Sequence, residues 1–349
     1  MQRLYGPQFS HPLARVVHGA PSSWDPSIAT KKFPKEIKTV VWSPCSKFIA
    51  IALKDFPGIV ILDAVTLGQL YTMYSQDKVI DWECIVFSPD NCILTGYSWM
   101  KDCITSWDLQ TGGQISSIYT MRLGRCKSIV YSGSGTLIGV LFKTHTIVTY
   151  DVPSVTKIFS HSTQQSSIKV IWTHGEHLQF ATIELGSIIT WQVSFTSNNP
   201  PTKVSSLPTP DGLPEDFVLQ PTISRLAFNL EERVLVWDTQ NHKILLDSMG
   251  YADLESMSFS SDGHLFTCQE GDQGFCIWKE SLDGYLLHQK FISSSQWTTL
   301  VVCPNAESVI SFGGSMLQLW HTANSSTQSP IVPIQTSQET IFVRATPRR

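Results

Sequence analysis

One short pattern recurs seven times along this chain of 349 residues. Each copy is an apolar run that ends in an aromatic residue or a leucine, and successive copies are spaced by 45, 43, 41, 46, 41 and 42 residues. The residues that end the runs, called the markers below, are Leu62, Trp107, Tyr150, Trp191, Trp237, Trp278 and Trp320. A repeat of this length indicates an array of similar units that are stable only when they stack on one another.

A second ladder of residues runs in step with the markers and precedes each of them by 18 to 20 residues. Its members are Trp42, Phe87, Tyr131, Trp172, Leu219, Phe259 and Val302. Most of them lie in runs rich in Val, Ile and aromatic residues, which favour β-strands, and turn-forming pairs such as Ser-Pro follow several of them. A further apolar run follows most markers, and no long stretch shows the period of a helix. Each unit is therefore predicted to contain three to four strands.

These units predict an all-β fold. A four-stranded sheet by itself leaves an apolar face and two edges unprotected, whereas radial stacking buries both faces and leaves only short edges. We therefore expect a seven-bladed β-propeller with four antiparallel strands per blade over residues 37–322. Residues 1–36 are predicted to be an irregular lead that contains the closing outer strand at 13–17, with 331–334 as the rival, and residues 323–349 a Ser/Thr/Gln-rich tail.

Composition limits the partners and the compartment. Charged residues make up 15% of the chain and the net charge is −4, so no basic face for nucleic acid is expected. The eight cysteines include no Cys-x-x-Cys pair, which argues against structural zinc. No apolar run reaches the length of a membrane span or resembles a signal peptide. The sequence thus predicts a monomer in a reducing compartment, the cytoplasm or alternatively the nucleus, that does not bind membranes.

Several stretches carry a resemblance to a known family: SWDLQTGGQISSI (106–118), RVLVWD (233–238), SFSSDG (258–263) and IWKESLDGYLLHQK (277–290). The chain resembles a degenerate WD40-repeat propeller, and in particular the WD40 regions of fungal NACHT/WD40 (NLR-like) proteins, without the NACHT domain. The resemblance implies a non-enzymatic scaffold that mediates protein–protein interaction, with the role of a recognition module in such a system. Another protein is the partner that it implies, and no cofactor is expected.

The resemblance is imperfect at its polar positions. Trp-Asp is intact only at residues 107–108 and 237–238, and the Asp expected six residues before the marker is found only at Asp272. The buried His-Ser-Trp-Asp hydrogen-bond network of regular family members is therefore expected to be mostly absent. Apolar packing is predicted to supply more of the stability.

Large apolar side chains in the predicted connections are the candidates for partner binding, because such residues make effective interface anchors. They are Phe56, Trp82, Trp99, Met100 and Trp297. The resemblance implies that these connections lie on the face where partners commonly dock. The alternative for Trp82 and Trp297 is that they fill the space between neighbouring blades.

Catalytic, cofactor-binding and metal-binding residues are not predicted. The cluster His174, Glu176 and His177 falls at a strand-to-turn junction, where solvated side chains are expected. Ser132 and Ser134 fit an ordinary turn, and neither G-x-S-x-G nor the P-loop pattern occurs. The alternatives to a scaffold are a carbohydrate-binding propeller lectin with tryptophan-lined pockets and, less favoured, a metal-dependent or hydrolytic enzyme on the same ring.

Overall fold

The computed structural model describes residues 27–75, 81–120, 123–162, 167–174, 177–184, 187–194, 201–208, 216–220, 225–230, 233–238, 240–241, 243–249, 254–260, 262–269, 274–281, 284–292, 299–305, 307–321, 331–335 and 340–344. All regular structure in these ranges is β-strand. None of it is a helix long and apolar enough to span a bilayer.

The strands follow the predicted repeat. The first three blades contain β2 (Ile37–Trp42), β3 (Phe48–Leu53), β4 (Gly58–Asp63) and β5 (Gln69–Tyr74); β6 (Trp82–Phe87), β7 (Ile93–Ser98), β8 (Cys103–Asp108) and β9 (Gln114–Tyr119); and β10 (Cys126–Tyr131), β11 (Leu137–Phe142), β12 (Thr146–Asp151) and β13 (Thr156–Ser162). Blades 4 and 5 contain β14 (Ser167–His174), β15 (His177–Glu184), β16 (Ser187–Ser194) and β17 (Thr202–Pro208); and β18 (Asp216–Gln220), β19 (Arg225–Leu230), β20 (Arg233–Asp238) and β21 (Lys243–Met249). Blades 6 and 7 contain β22 (Leu254–Phe259), β23 (Leu265–Gln269), β24 (Gly274–Ser281) and β25 (Gly284–Ile292); and β26 (Thr299–Val302), β27 (Ser308–Gly313), β28 (Met316–His321) and β1 (Ser27–Lys32).

The described strands form seven four-stranded sheets in which neighbouring strands are antiparallel. The first strand of each blade contacts the first strand of the next blade, from β2 around to β26, and β26 in turn contacts β2. The seven sheets therefore form a closed ring with the first strands innermost. This confirms the seven-bladed, all-β prediction.

Blade 7 is completed by the beginning of the chain. β1 pairs with β28, with Lys32 opposite Met316, and the backbone N–H of Phe33 donates to the carbonyl of Ser315 over 2.8 Å. The prediction that residues 13–17 fill this position is wrong, because β1 occupies it; residues 13–17 themselves lie outside the described ranges. The rival segment lies in β29 (Ile331–Gln335), which pairs with β30 (Thr340–Arg344) in a separate two-stranded sheet.

The markers lie on the third strand of each blade, and most of them are buried between sheets. Leu62, Trp107, Tyr150, Trp278 and Trp320 are buried. Trp191 and Trp237 are partly buried and pack against the core residues of blades 4 and 5. Trp191 stacks on Phe180 with 6.2 Å between ring centroids, which covers one face of its ring.

The turns between the first and second strands explain the repeated Ser-Pro and Asp-Gly pairs. The buried hydroxyl of Ser88 accepts the backbone N–H of Ile93 over 2.9 Å, and Ser43 and Ser132 make the equivalent bonds. The fourth turn residue has positive φ, 61° at Asn91 and 76° at Gly135, which Asn and Gly tolerate best. The pairs recognised in the sequence are therefore turn chemistry.

Four blades place an aspartate directly after the marker, where it caps the turn to the outer strand. The residues are Asp63, Asp108, Asp151 and Asp238, in blades 1, 2, 3 and 5. Asp108 Oδ1, for example, accepts the backbone N–H of Thr111 over 2.6 Å and its hydroxyl over 2.9 Å. These hydrogen bonds lower the pKa of Asp108 from its usual value. The aspartate of the repeat is thus a turn cap at the edge of the blade.

The other three blades use the indole of the marker. Trp191, Trp278 and Trp320 donate their Nε1–H to Thr182, Thr267 and Ser311 over 2.8, 3.0 and 2.7 Å. Each hydroxyl stands on the second strand, two residues beyond the marker's cross-strand partner. The predicted loss of this polar network is therefore too broad, because its Trp–Ser/Thr bond remains in blades 4, 6 and 7.

Candidate functional site

The candidate site lies on the face that carries the turns between the second and third strands and the connections from one blade to the next. We call it the upper face. In blade 2 the turn between β7 and β8 comprises residues 99–102, and residues 120–125 connect β9 to β10. The antiparallel order of the strands brings this turn and this connection to the same end of the sheet.

Trp99 and Met100 project from this turn. They are 46% and 53% exposed, which is unusual for side chains of this size. The turn itself is fixed by Asp102, which has φ of +52° and donates its backbone N–H to the carbonyl of Trp99. The carboxylate of Asp102 accepts the hydroxyl of Thr120 over 2.6 Å. The two exposed side chains therefore stand on a turn held by hydrogen bonds on both sides.

Arg125 supports the ring of Trp99 from the neighbouring connection. Its guanidinium carbon lies 5.3 Å from the ring centroid of Trp99, a distance that gives a cation–π attraction. Arg125 Nε donates to Glu83 Oε1 over 2.6 Å, and Glu83 Oε2 accepts the backbone N–H of Cys126 over 3.0 Å. The side chain of Glu83 is only 6% exposed. A nearly buried carboxylate thus fixes the arginine, and the arginine orients the exposed indole.

Tyr119 lies at the same end of blade 2 as this turn. It is the last residue of β9, it lies opposite Cys103 directly after the 99–102 turn, and it is 74% exposed. We call Trp99, Met100, Tyr119 and Arg125 the Trp99 patch. Aromatic residues, Met and Arg are the types enriched at protein–protein interfaces.

Blade 1 has a smaller counterpart of this patch. Phe56 lies in the turn between β3 and β4, at the position that corresponds to the Trp99 turn. It is partly buried and packs edge-on against the exposed ring of Tyr74, with 6.1 Å between the centroids. Phe56 therefore supports Tyr74, and in its predicted role as an anchor it offers less open surface than Trp99.

Trp82 does not lie in a connection, and that part of its prediction is wrong. It is the first residue of β6 and is 1% exposed, packed edge-on against Trp107 at 4.9 Å. The cause is a bulge between Trp82 and Cys84, which turns the Trp82 side chain inward between blades 1 and 2. Trp82 therefore fills the inter-blade space, as the alternative interpretation had it, and does not line an open pocket. Trp297 lies outside the described residues.

Tyr119 and Arg125 belong to the Trp99 patch although neither is predicted from the sequence. Tyr119 directly follows a predicted outer strand, and its exposure depends on that strand being an edge. Arg125 lies 42 residues after Glu83, close to one repeat length. Charged residues of opposite sign spaced by one repeat are the sequence signal that could have found this pair, since such positions become neighbours in the ring.

Two serine–histidine pairs lie in the described ranges: Ser308 and His321 are cross-strand neighbours in blade 7 with 2.8 Å between Oγ and Nδ1, and Ser260 and His264 share a turn. In blade 6, Asp262 accepts the hydroxyl of Ser260 and lies 2.8 Å from His264 Nδ1, so the carboxylate stands between the serine and the imidazole. A catalytic base would have to contact the serine directly. Burial lowers the pKa of His264. This arrangement caps a turn and does not activate a nucleophile.

The predicted histidine cluster falls at a hairpin. β14 ends at His174 and β15 begins at His177, directly opposite it, as expected for a strand-to-turn junction. The side chains of these two residues and all of Glu176 lie outside what the structure describes. Among the residues it does describe, no group of three or more His, Cys, Asp or Glu side chains is placed to hold a metal ion.

Comparison with known proteins identifies the fold and nothing narrower. No protein-family model matches the chain, and no curated protein matches its sequence. Solved structures match it over most of its length. One from "Crystal Structure of Mitotic Checkpoint Complex" has a TM-score of 0.69 and 11% identity over 92% of this chain and 99% of that chain. "Structure of U3-55K" and "Crystal structure of RRP9 WD40 repeats" each have a TM-score of 0.67 and 12% identity over 84% of this chain, covering 98% and 97% of theirs. The chain therefore has the fold of WD40 propellers.

Proposed function

We propose that this protein is a non-enzymatic scaffold that binds another protein through the Trp99 patch on the upper face of blade 2. The observation that supports this most directly is the exposure of Trp99 and Met100 on a turn fixed by hydrogen bonds. An apolar side chain held in place before binding loses little conformational entropy when a partner covers it. The closed ring supplies the rigid support.

The composition of the patch favours a protein partner over a sugar. Tryptophan and arginine are the residues that most often dominate the energy of protein–protein contacts. The lectin alternative would use Trp82 or Trp297, and the ring of Trp82 is buried against Trp107 and lines no open pocket. Protein binding is therefore the function that the described geometry supports best.

The test is affinity purification with mass spectrometry from native cells. The wild-type chain is compared with the Trp99→Ala/Met100→Ala double variant and with Val65→Ala, which removes an exposed apolar side chain on the opposite face of blade 1. We expect proteins that are captured by the wild type and Val65→Ala and lost from the double variant. Identical protein sets from all three baits would contradict the proposal. Trp82→Ala is not suitable, because it removes a buried side chain.

Two narrower elements of the proposal rest on the sequence. The resemblance to fungal NACHT/WD40 proteins supports a role as a recognition module of an NLR-like system, and captured proteins with a NACHT domain would be the expected finding. The cytoplasm is the proposed compartment, with the nucleus as the alternative. Fluorescence imaging of the tagged full chain in native cells distinguishes the two, and a signal confined to a membrane-bounded secretory organelle would contradict both.

A further inference from the structure

The charge around the Trp99 patch has the opposite sign to the charge of the whole chain. The net charge is −4, but the turns and the connection at the patch on blades 2 and 3 carry the cations Lys101, Arg125 and Lys143. Among the described residues of blade 2 the carboxylates at this end are Glu83 and Asp102, besides Asp81, which pairs with Lys38. At physiological salt, charges act over about 8 Å, so a partner at the patch experiences this local group and not the distant acidic residues.

The two carboxylates are directed into the protein. Glu83 is 6% exposed and is occupied by Arg125 and by the backbone N–H of Cys126. Asp102 accepts the hydroxyl of Thr120 over 2.6 Å, and it lies 3.3 Å from the hydroxyl of Tyr97, which donates to the carbonyl of Gly124. Both acids therefore make hydrogen bonds within the protein, whereas the side chains of Arg125 and Lys143 are exposed. The surface beside Trp99 consequently presents positive charge to a partner.

Arg125 has the chemistry to bind a carboxylate of the partner while it supports Trp99. Its bond to Glu83 uses Nε–H, one of the five N–H donors of the guanidinium. Paired N–H donors of arginine match the two oxygens of a carboxylate, and such charge-assisted bonds are stronger than neutral ones. Lys143 stands beside this residue, since its backbone N–H donates to the Arg125 carbonyl over 2.8 Å. The apolar anchor site and the cationic site are therefore adjacent.

We infer that the Trp99 patch binds an acidic peptide segment that inserts one apolar side chain against Trp99 and Met100 and places its carboxylates toward Arg125 and Lys143. This inference rests on the proposed function and specifies the chemistry of the partner. The apolar contact supplies most of the affinity, while the charges set orientation and speed of association. Both features must occur within one short segment, because both sites belong to one turn and the connection beside it.

Selection from a random dodecapeptide display library on the immobilised full chain tests the inference. We expect the enriched peptides to carry net negative charge and a shared aromatic or aliphatic residue. Fluorescence anisotropy measures the affinity for an enriched peptide. Trp99→Ala/Met100→Ala should lower this affinity by about tenfold or more, as for the loss of interface hot spots. Lys143→Glu should lower the affinity severalfold, and raising the salt from about 50 to 500 mM should lower it further.

Two control variants guard against loss of folding. Lys157→Glu makes the same charge reversal on the exposed outer strand of blade 3, away from the patch, and Val65→Ala removes an exposed apolar side chain elsewhere. Both should bind the peptide like the wild type. Lys143→Glu is preferred to a change at Arg125, because losing the arginine would leave Glu83 nearly buried without its cation.

Four outcomes would overturn the inference. Three are neutral or basic enriched peptides, acidic peptides that bind Trp99→Ala/Met100→Ala unchanged, and an empty selection. The fourth is a set of peptides whose apolar residue can be replaced by Ala without loss of affinity, which would point to a polyanion such as RNA. Failure here is distinguishable from failure of the scaffold function. A Trp99-dependent set of captured proteins together with an empty peptide selection would reject the acidic peptide and retain the scaffold.

Discussion

Blades 1, 2, 3 and 5 differ from blades 4, 6 and 7 in the polar contact that each retains. The first group has the aspartate that caps the turn after the marker, as at Asp108. The second group has an indole–hydroxyl bond inside the sheet, as between Trp278 and Thr267. In the described residues no acceptor lies at the indole N–H of Trp107 or Trp237, the tryptophan markers of the first group. In the described residues each blade thus has one of the two polar contacts.

Blades 2 and 5 show what takes the place of the indole–hydroxyl bond where it is missing. In blade 2 the position of the hydroxyl is taken by Gly96, because the ring of Trp82 occupies the space beside it. In blade 5 the same position is Phe228, a buried core residue. A large side chain has replaced the hydroxyl contact in both cases, so apolar volume can substitute for one hydrogen bond while the turn cap is kept.

The largest effect is expected from truncation of a fully buried marker. Trp320→Ala should lower the free energy of unfolding by about 3–5 kcal/mol, the usual range for loss of a buried aromatic side chain. Trp237→Ala should cost less, because its ring is only partly buried and has no hydrogen bond to lose. Denaturant unfolding followed by circular dichroism measures both. Equal losses of unfolding free energy for the two variants would show that the two groups of blades do not differ in how much the marker contributes to stability.

Adding the missing hydroxyl to the second strand of blade 2 should lower the stability of the protein. Gly96→Ser would supply an acceptor near Trp107, but a Cβ at this position would lie 2.9 Å from Cε3 of Trp82. We expect a loss of about 1–3 kcal/mol from overpacking. In a Trp82→Leu background the same change should cost less, as a double-mutant cycle of unfolding free energies would show. A gain in stability from Gly96→Ser alone would contradict this account.

Removing a single indole–hydroxyl bond should have an intermediate effect. Thr267→Val keeps the shape of the side chain and leaves the buried N–H of Trp278 without this acceptor, at an expected cost of about 1–2 kcal/mol. Trp278→Phe should abolish most of that cost in a cycle with Thr267→Val. Trp107→Phe in blade 2 is the matched contrast, because it breaks no such bond. A cycle with no coupling would show that the bond in blade 6 contributes nothing.

The smallest expected effect is on the stability of the protein at low pH. The pKa of Asp108 is lowered in the folded protein, chiefly by the backbone N–H and hydroxyl of Thr111. A lowered folded pKa means that the stabilisation is present above the ordinary pKa of 3.8 and is lost as the pH falls through the folded value. Asp108→Asn should therefore flatten the fall of the unfolding midpoint between about pH 5 and 3. Gln192→Glu, which alters the corresponding position in blade 4, is the control. It should leave unchanged the contribution of Asp108 to the dependence of the unfolding midpoint on pH.

The repeat period was enough to predict the number of blades, the strands and the serine turns, because each depends on residues close together in the sequence. The closing strand was not predictable in this way. The segment SIATKK (27–32) carries little apolar signal, since an outer strand covers the core with few residues, whereas 13–17 is apolar and attracted the assignment. Strand identity at the rim is decided by pairing with β28, far away in the chain.

The candidate site was predictable in part for a similar reason. Trp99 and Met100 lie in a turn that the repeat locates, and their exposure follows from that position. Trp82 was misplaced because the apolar run begins at Ile85, whereas the strand begins three residues earlier, at Trp82. The bulge at this end of the strand leaves no signal in the sequence. The contact of Arg125 with Glu83 arises only when neighbouring blades stack, so it depends on the assembled ring.

The pairing of β1 with β28 has a consequence for how the protein is made. Lys32 leaves the ribosome before its partner Met316, and the strands of the other six blades are synthesised between them. Until β28 has been synthesised, β1 has no native strand partner and blade 7 has no outer strand. The other six sheets can therefore form before the pairing of β1 with β28 closes the ring.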